Sequence, residues 1–111
     1  MIDRYTTEKM KKIWSEENTF NLWLKIEISA CVAWNQLGVI PDKELLKIKE
    51  AKFDKKLYKK LFNETKHDMI AFTRTIGESL GEEGRWIHHG LTSNDVKDTC
   101  LSIQISHSLN L

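Results

Sequence analysis

Ser15-Glu16-Glu17-Asn18-Thr19-Phe20-Asn21-Leu22-Trp23-Leu24-Lys25-Ile26-Glu27-Ile28-Ser29-Ala30-Cys31-Val32-Ala33-Trp34-Asn35-Gln36-Leu37-Gly38 is the stretch that decides the fold. Phe20, Trp23, Leu24, Cys31, Trp34 and Leu37 recur at steps of three and four, the spacing of one face of an α-helix. Ser15 has a side-chain oxygen that can cap a helix start, and Glu16 and Glu17 suit the positive end of its dipole. Gly38 can take the left-handed conformation in which helices stop. The stretch therefore reads as one long helix. Leu22, Ile26, Ile28 and Val32 widen its apolar stripe beyond what one small domain needs.

Outward from it, the same helical spacing continues. A short helix is expected from about Thr7 to Trp14. Pro41 and Asp42 open a third, with Pro41 at the first-turn position that proline favours. A lysine-rich fourth spans about Asp54 to Asn63. The fifth begins near Lys66 and ends at Gly81, with Met69, Phe72, Ile76 and Leu80 on one side. Glu82 to Leu91 reads as a loop. The sixth starts at Thr92 or Ser93 and carries Val96, Cys100 and Ile103 on one face, with Leu101 and Ile105 on another. One proline and five glycines in 111 residues leave little room for β-turns. The expectation is a single all-α domain of about six helices over residues 1–111. The last helix carries no stop signal, which reads as a chain cut from something larger.

Composition excludes several classes. The formal net charge is +1, which gives no reason to expect a nucleic-acid or membrane partner. Nine of the 17 Lys and Arg lie between Asp42 and Lys66 against five acids. The aromatics there, Phe53, Tyr58 and Phe62, are not interleaved for base stacking, so the segment reads as a solvated helical face. No apolar run approaches a membrane span, and the first twelve residues hold no apolar secretory core. A cytoplasmic location follows as the expectation. Cys31 and Cys100 each sit in an apolar helical pattern, as buried thiols of a reducing compartment do. Metal-ligand spacings are absent: there is no Cys-x-x-Cys and no His-x-x-x-His, and His88 and His89 are adjacent. No serine lies in a Gly-x-Ser-x-Gly turn. No metal and no cofactor is expected. His107 lies within the sixth helix and needs no role beyond the surface.

Two clusters carry the chemistry. Lys66-His67-Asp68 and His88-His89-Gly90-Leu91-Thr92-Ser93-Asn94-Asp95 each sit where a helix begins. A helix start offers unpaired N–H groups and positive potential, a natural seat for carboxylate or phosphate. Thr92 and Asp95 also fit a capping box, Thr-x-x-Asp, so a plain N-cap explains part of the second cluster. Arg4 and Tyr5 add a guanidinium fork for phosphate and an aromatic hydroxyl. A carboxylate beside an imidazole fixes its tautomer. From chemistry alone the class is an anion site with acid/base histidines.

Several segments carry a family resemblance further. Met1-Ile2-Asp3-Arg4-Tyr5 resembles the opening of bacterial adenylosuccinate lyases, as do Ile13-Trp14-Ser15-Glu16-Glu17-Asn18 and Trp23-Leu24-Lys25-Ile26-Glu27. Thr65-Lys66-His67-Asp68-Met69-Ile70-Ala71-Phe72 is similar to that family's Thr-[Arg/Lys]-His-Asp helix start. Ile87-His88-His89-Gly90-Leu91-Thr92-Ser93-Asn94-Asp95-Val96-Lys97-Asp98-Thr99 is similar to its His-Tyr-Gly-Leu-Thr-Ser-x-Asp-Val-x-Asp-Thr segment. The resemblance runs from residue 1 to about 108, in order and at family spacing. His89 stands where the family usually has tyrosine, and Asn94 where it has serine or threonine.

The resemblance implies the first helical domain of the fumarase/aspartase-type lyase fold, ending where the central helical-bundle domain begins. It implies β-elimination of fumarate from adenylosuccinate, giving AMP, and from the succinyl-carboxamide ribotide of purine synthesis. Arg4 and Tyr5 would then hold the phosphate end of the purine nucleotide. Lys66, His67 and Asp68 would line the nucleotide, with His67 assisting the acid step electrostatically. Thr92 and Ser93 would bind the succinyl or fumarate carboxylate, and His88 would lie at the pocket as a candidate catalytic group. The family's general acid belongs to the next domain and its catalytic serine to a later mobile loop, so these 111 residues alone are expected to be inactive. The family's sites are shared between subunits of a homotetramer. Two rival readings stay open: another lyase of the superfamily, of argininosuccinate or fumarase type, or a non-catalytic helical module that binds a partner through its wide apolar faces.

Overall fold

Short polar side chains open most of the helices in the computed structural model, which describes residues 7–111. Thr7 Oγ1 accepts the Met10 N–H at 3.1 Å and starts α1, Glu8–Ile13. Ser15 Oγ accepts the Asn18 N–H at 3.1 Å and starts α2, Glu16–Gln36, with Gly38 at φ +81° just past its end. Pro41 precedes α3, Asp42–Ile48, as its N-cap, one position earlier than the first-turn place expected for it. Asp54 caps α4, Lys55–Thr65, through the Lys56 and Leu57 N–H groups. His67 caps α5, Asp68–Glu78, and Thr92 precedes α6, Ser93–Leu109. Each side-chain cap satisfies N–H groups that the helix itself leaves open.

Three departures from expectation have physical causes. The fourth helix runs two residues past Asn63, and the fifth begins at Asp68, because Lys66 takes a left-handed conformation (φ +56°) and serves as the stop of α4. That role normally falls to glycine or asparagine. The segment expected as a loop from Glu82 begins instead as a 3-10 helix, Gly81–Trp86. It packs against α5 where Gly77 and Gly84 meet backbone to backbone: a Cβ on Gly84 would lie 2.7 Å from the Gly77 carbonyl oxygen. Finally, Leu37 points outward at 73% exposed, so the buried stripe of α2 ends at the half-buried Trp34.

No strand occurs among the described residues. Helix α2 is the spine. It packs on α6 and α3, while α4 packs on α5 and the 3-10 helix bridges α5 and α3. An aromatic cluster joins the helices: Phe20 stacks on Phe53 at 4.6 Å, and Trp23 meets Phe72 edge-on at 5.3 Å. Met69, Phe72, Ile76 and Leu80 are all buried, as are Val96 and Cys100, so the faces read for α5 and the first half of α6 are the core faces. The far end of α6 is tied down by polar groups instead. Gln104 is buried and donates to the Ile13 carbonyl at 3.1 Å and to Thr19 Oγ1 at 2.9 Å, while Trp14 Nε1 donates to Ser108 Oγ at 2.9 Å. Leu101 and Ile105, the second apolar face of α6, are each 46% exposed.

Candidate functional site

The start of α5 is built by a turn without glycine. Lys66, left-handed, reverses the chain after α4, and His67 follows in extended backbone. His67 Nδ1 accepts the Ile70 N–H at 3.2 Å, so the neutral ring carries its proton on Nε2, facing outward as a donor. Asp68 Oδ1 lies 3.9 Å from the same Nδ1. A second proton on the ring would strengthen that ion pair but break the cap. Asp68 Oδ1 also accepts its neighbour Met69 N–H at 2.7 Å and the Lys97 ammonium at 2.9 Å. Partial burial works to raise the Asp68 carboxyl. The Lys97 hydrogen bond and charge, with the Met69 N–H and His67, outweigh it and hold the group below the usual carboxylate range.

Lys97 stands one turn into α6. Its contact with Asp68 joins the Lys66-His67-Asp68 turn to the start of α6. At that end, Asp95 Oδ2 accepts the Thr92 N–H at 2.7 Å, the acidic arm of the expected capping box. Thr92 is the N-cap and Ser93 the first helical residue. Thr92 and Asn94 are exposed and Ser93 is half-buried.

His88 is held from another direction. Glu27, in the middle of α2, is fully buried. Its Oε1 accepts the His88 backbone N–H at 3.0 Å, and its Oε2 lies 2.6 Å from His88 Nδ1. His88 has φ +67°, a left-handed conformation that costs a residue with a Cβ roughly 1–2 kcal/mol. The paired contacts from Glu27 offset that strain. Burial raises the Glu27 carboxyl above its ordinary value, although the His88 hydrogen bonds and charge oppose the rise. One turn on, the buried Cys31 thiol is pushed up to about 11, by burial first and then by the Glu27 charge. The neighbouring His89 is anchored by aromatic edges. Its ring lies 5.1 Å from Trp34 and 5.5 Å from Trp86, edge-on to both, and Trp34 Nε1 donates to the His89 carbonyl at 3.0 Å. The indole of Trp34 also covers Gly90, where a Cβ would come within 2.8 Å of it. Thus the His88-His89-Gly90 turn is pinned to α2 at two points, Glu27 and Trp34.

Of the residues expected to act together, Asp68 is joined to the start of α6, with Lys66 and His67 on the same turn and Thr92 and Ser93 at that helix start. His88 makes its side-chain contact with α2, not with the α5 turn. Arg4 and Tyr5 lie outside the described residues. Two residues were missed. Lys97 falls within a quoted motif but has no signal of its own. Glu27 does: it is one acid inside the apolar run from Leu22 to Val32, on the core side rather than the outer side where Lys25 points.

A cleft of about 620 Å³ beside this cluster, between α2 and the start of α6, is lined by Ser29, Leu91, Asn94, Asp95, Asp98 and Thr99 and is acidic. A cavity of about 530 Å³ lies elsewhere, between the start of α2 and Ala51–Lys55, and shares none of these residues. Lys66 and His67 on the α5 turn, and Thr92 and Asn94 at the α6 start, are exposed. Among the described residues no group of His, Cys, Asp and Glu is arranged to hold a metal ion, and no helix is long and apolar enough to cross a membrane.

This all-helical frame with two joined helix starts has relatives. The lyase family matches residues 3–111, and the chain belongs to that family. Among curated proteins, it is similar to the adenylosuccinate lyase of Staphylococcus saprophyticus subsp. saprophyticus, at 49% identity over 109 residues, covering 97% of this chain and 25% of that enzyme. Among solved structures, the fold matches a fumarate lyase from Mesorhizobium sp. BNC1 with a TM-score of 0.82, at 19% identity, over 96% of this chain and 26% of that one. The chain therefore spans about a quarter of the length of these relatives.

Proposed function

We propose that this chain is the first, helical domain of an adenylosuccinate lyase and contributes one wall of its active site. The observation that carries the reading is the 49% identity with a named adenylosuccinate lyase along 97% of the chain; the fold likeness supports only the wider class. The reaction is a β-elimination. A base takes the proton from the carbon beside a succinyl carboxylate, the electron pair forms the C=C bond of fumarate, and the C–N bond breaks as an acid protonates the departing nitrogen. Acting on adenylosuccinate it yields AMP, and on succinyl-aminoimidazole-carboxamide ribotide it yields the corresponding carboxamide.

In this reading the residues described here bind and orient rather than transfer the protons. Thr92 and Ser93, at the start of a 17-residue helix, offer hydroxyls to a succinyl carboxylate, and Ser93 adds an N–H of the first turn, that of Thr92 being held by Asp95. Lys66 and the outward Nε2–H of His67 meet the nucleotide, with His67 assisting the acid step through its field. Asp68 lines the same wall while its contact with Lys97 fixes the relation of the two helix starts. Arg4 and Tyr5 take the phosphate end, and His88 reaches the pocket from the α2 side. The openness of the cluster fits a site completed by the central domain and by neighbouring subunits of a homotetramer, acting in the cytoplasm without a cofactor.

Two substitutions in the full-length enzyme test these roles. Arg4→Ala should raise KM for adenylosuccinate by at least about tenfold, the loss of a charge-assisted contact. Ser93→Ala should weaken fumarate and substrate binding while leaving the melting temperature unchanged, because Thr92 and not Ser93 is the cap. Unaltered kinetics in both would remove this wall from the site.

A further inference from the structure

Glu27 does more than a buried acceptor needs to do. It lies wholly inside the protein, in an otherwise apolar stretch of α2. Both of its oxygens are engaged by one residue: the backbone N–H of His88 at 3.0 Å and the ring Nδ1 at 2.6 Å. Burying a carboxylate is costly unless a partner compensates it, and a neutral amide would accept the backbone N–H at much lower cost. What the amide cannot do is hold a proton on Nδ1, since its own N–H₂ would compete to donate there. A carboxylate against Nδ1 fixes the Nδ1–H tautomer. Nε2 then remains as the atom through which the ring meets a ligand, and it makes no hydrogen bond among the described residues. The φ of +67° at His88 belongs to the same arrangement, because the N–H that Glu27 accepts is available to it in that left-handed turn.

We infer that Glu27 is a positioning residue for substrate binding and turnover: it fixes the tautomer and aim of His88, so that Nε2, the unprotonated ring nitrogen, is presented to the substrate as a hydrogen-bond acceptor. The inference rests on the functional reading above for the identity of the substrate, and not for the state of the ring. Among the described residues, the Cys31 thiol lies one turn from Glu27 and feels its charge. It stays protonated near neutral pH and adds no charge beside the pair. The inward side of the turn is otherwise closed by the aromatic edges of Trp34 and Trp86 around His89.

Two measurements on the full-length protein test this, one without turnover. In protein labelled with ¹⁵N-histidine, His88 (assigned by its loss in His88→Gln) should show a protonated Nδ1 across neutral pH. In Glu27→Gln its neutral form should shift to the Nε2–H tautomer. A wild-type His88 that is protonated on Nε2 alone overturns the inference, whatever the substrate proves to be. In the second measurement, Glu27→Gln should lower kcat/KM for adenylosuccinate at least tenfold and displace the acidic limb of its pH profile. His88→Ala should show the same loss, and the double variant no more than His88→Ala alone. Additive losses, or an unmoved profile, overturn it. Should Glu27→Gln fail to fold, Glu27→Asp decides the matter. Its shorter carboxylate keeps the charge but cannot reach both atoms, so kcat/KM should fall with the pH profile retained, and an unchanged kcat/KM overturns the inference. Absence of wild-type activity on adenylosuccinate would count against the functional reading alone, since the ¹⁵N result stands without it.

Discussion

Cys31 shows how one residue reports on its surroundings. It is 1% exposed, its Sγ lies 3.6 Å from the Trp86 carbonyl oxygen, and Glu27 stands one turn away. A thiol so placed has almost no thiolate at neutral pH, and the thiolate is the reactive form. Iodoacetamide at pH 8 should therefore leave Cys31 unmodified in the native protein and label it after denaturation. Rapid labelling of the native protein would contradict the packing. The linkage has a sign. The thiol is raised from 9.0 in the unfolded chain to about 11 in the folded one, so its contribution to stability is complete below pH 9 and disappears as pH climbs through 11. The burial of Cys31 was legible from apolar spacing. The core-side place of its neighbour Glu27 was legible in the same way, but its role was not, because helical periodicity sorts residues by face and says nothing of a partner 61 positions later. Lys66 and His88 were opaque for a related reason: left-handed backbone at a residue with a Cβ leaves no mark in composition, whereas Gly38 announces itself.

Among the elements, the helix starts were the most readable and the junctions the least. Ser15, Asp54 and the Thr92–Asp95 pair all cap as their side chains suggest, since a cap is a local contact within a few residues. The 3-10 helix escaped notice because it depends on a meeting of Gly77 and Gly84 that spacing does not reveal. Gly84→Ala tests that meeting. Its Cβ would fall 2.7 Å from one backbone atom and 2.9 Å from another, with no side chain to yield, so the variant should lose about 1–3 kcal/mol in urea denaturation. A loss near zero would mean that the 3-10 segment moves freely away from α5. The joint between α5 and α6 makes a second element-scale prediction. Asp68 titrates below its unfolded value of 3.8 because Lys97 and the Met69 N–H outweigh its burial. The stability it contributes is present above that pH and is lost as pH falls through the folded value. Lys97→Ala should flatten the acid limb of stability below pH 4, and an unchanged limb would show that the two helix starts are not held by this pair.

At the scale of the whole molecule, the all-α class followed from how few glycines and prolines interrupt a helical apolar rhythm, and the wide apolar surface shows where packing within residues 7–111 ends. Leu101 and Ile105 remain 46% exposed on α6, while the buried half of that helix closes on α2. The functional cluster has the same character. Its groups are held from behind by Glu27, Lys97 and two tryptophans, while Lys66, His67, Thr92 and Asn94 are exposed. The chain spans about a quarter of the length of the relatives it matches. Chemistry read from residues reached an anion site; the nucleotide came only from motif resemblance, because no spacing among these residues singles out a purine. The most direct measurement is an ultraviolet assay of the full-length protein carrying this chain, offered adenylosuccinate and argininosuccinate side by side. The account predicts cleavage of adenylosuccinate with release of fumarate and AMP, and no cleavage of argininosuccinate. Turnover of argininosuccinate with adenylosuccinate untouched would keep the lyase fold and contradict the nucleotide site.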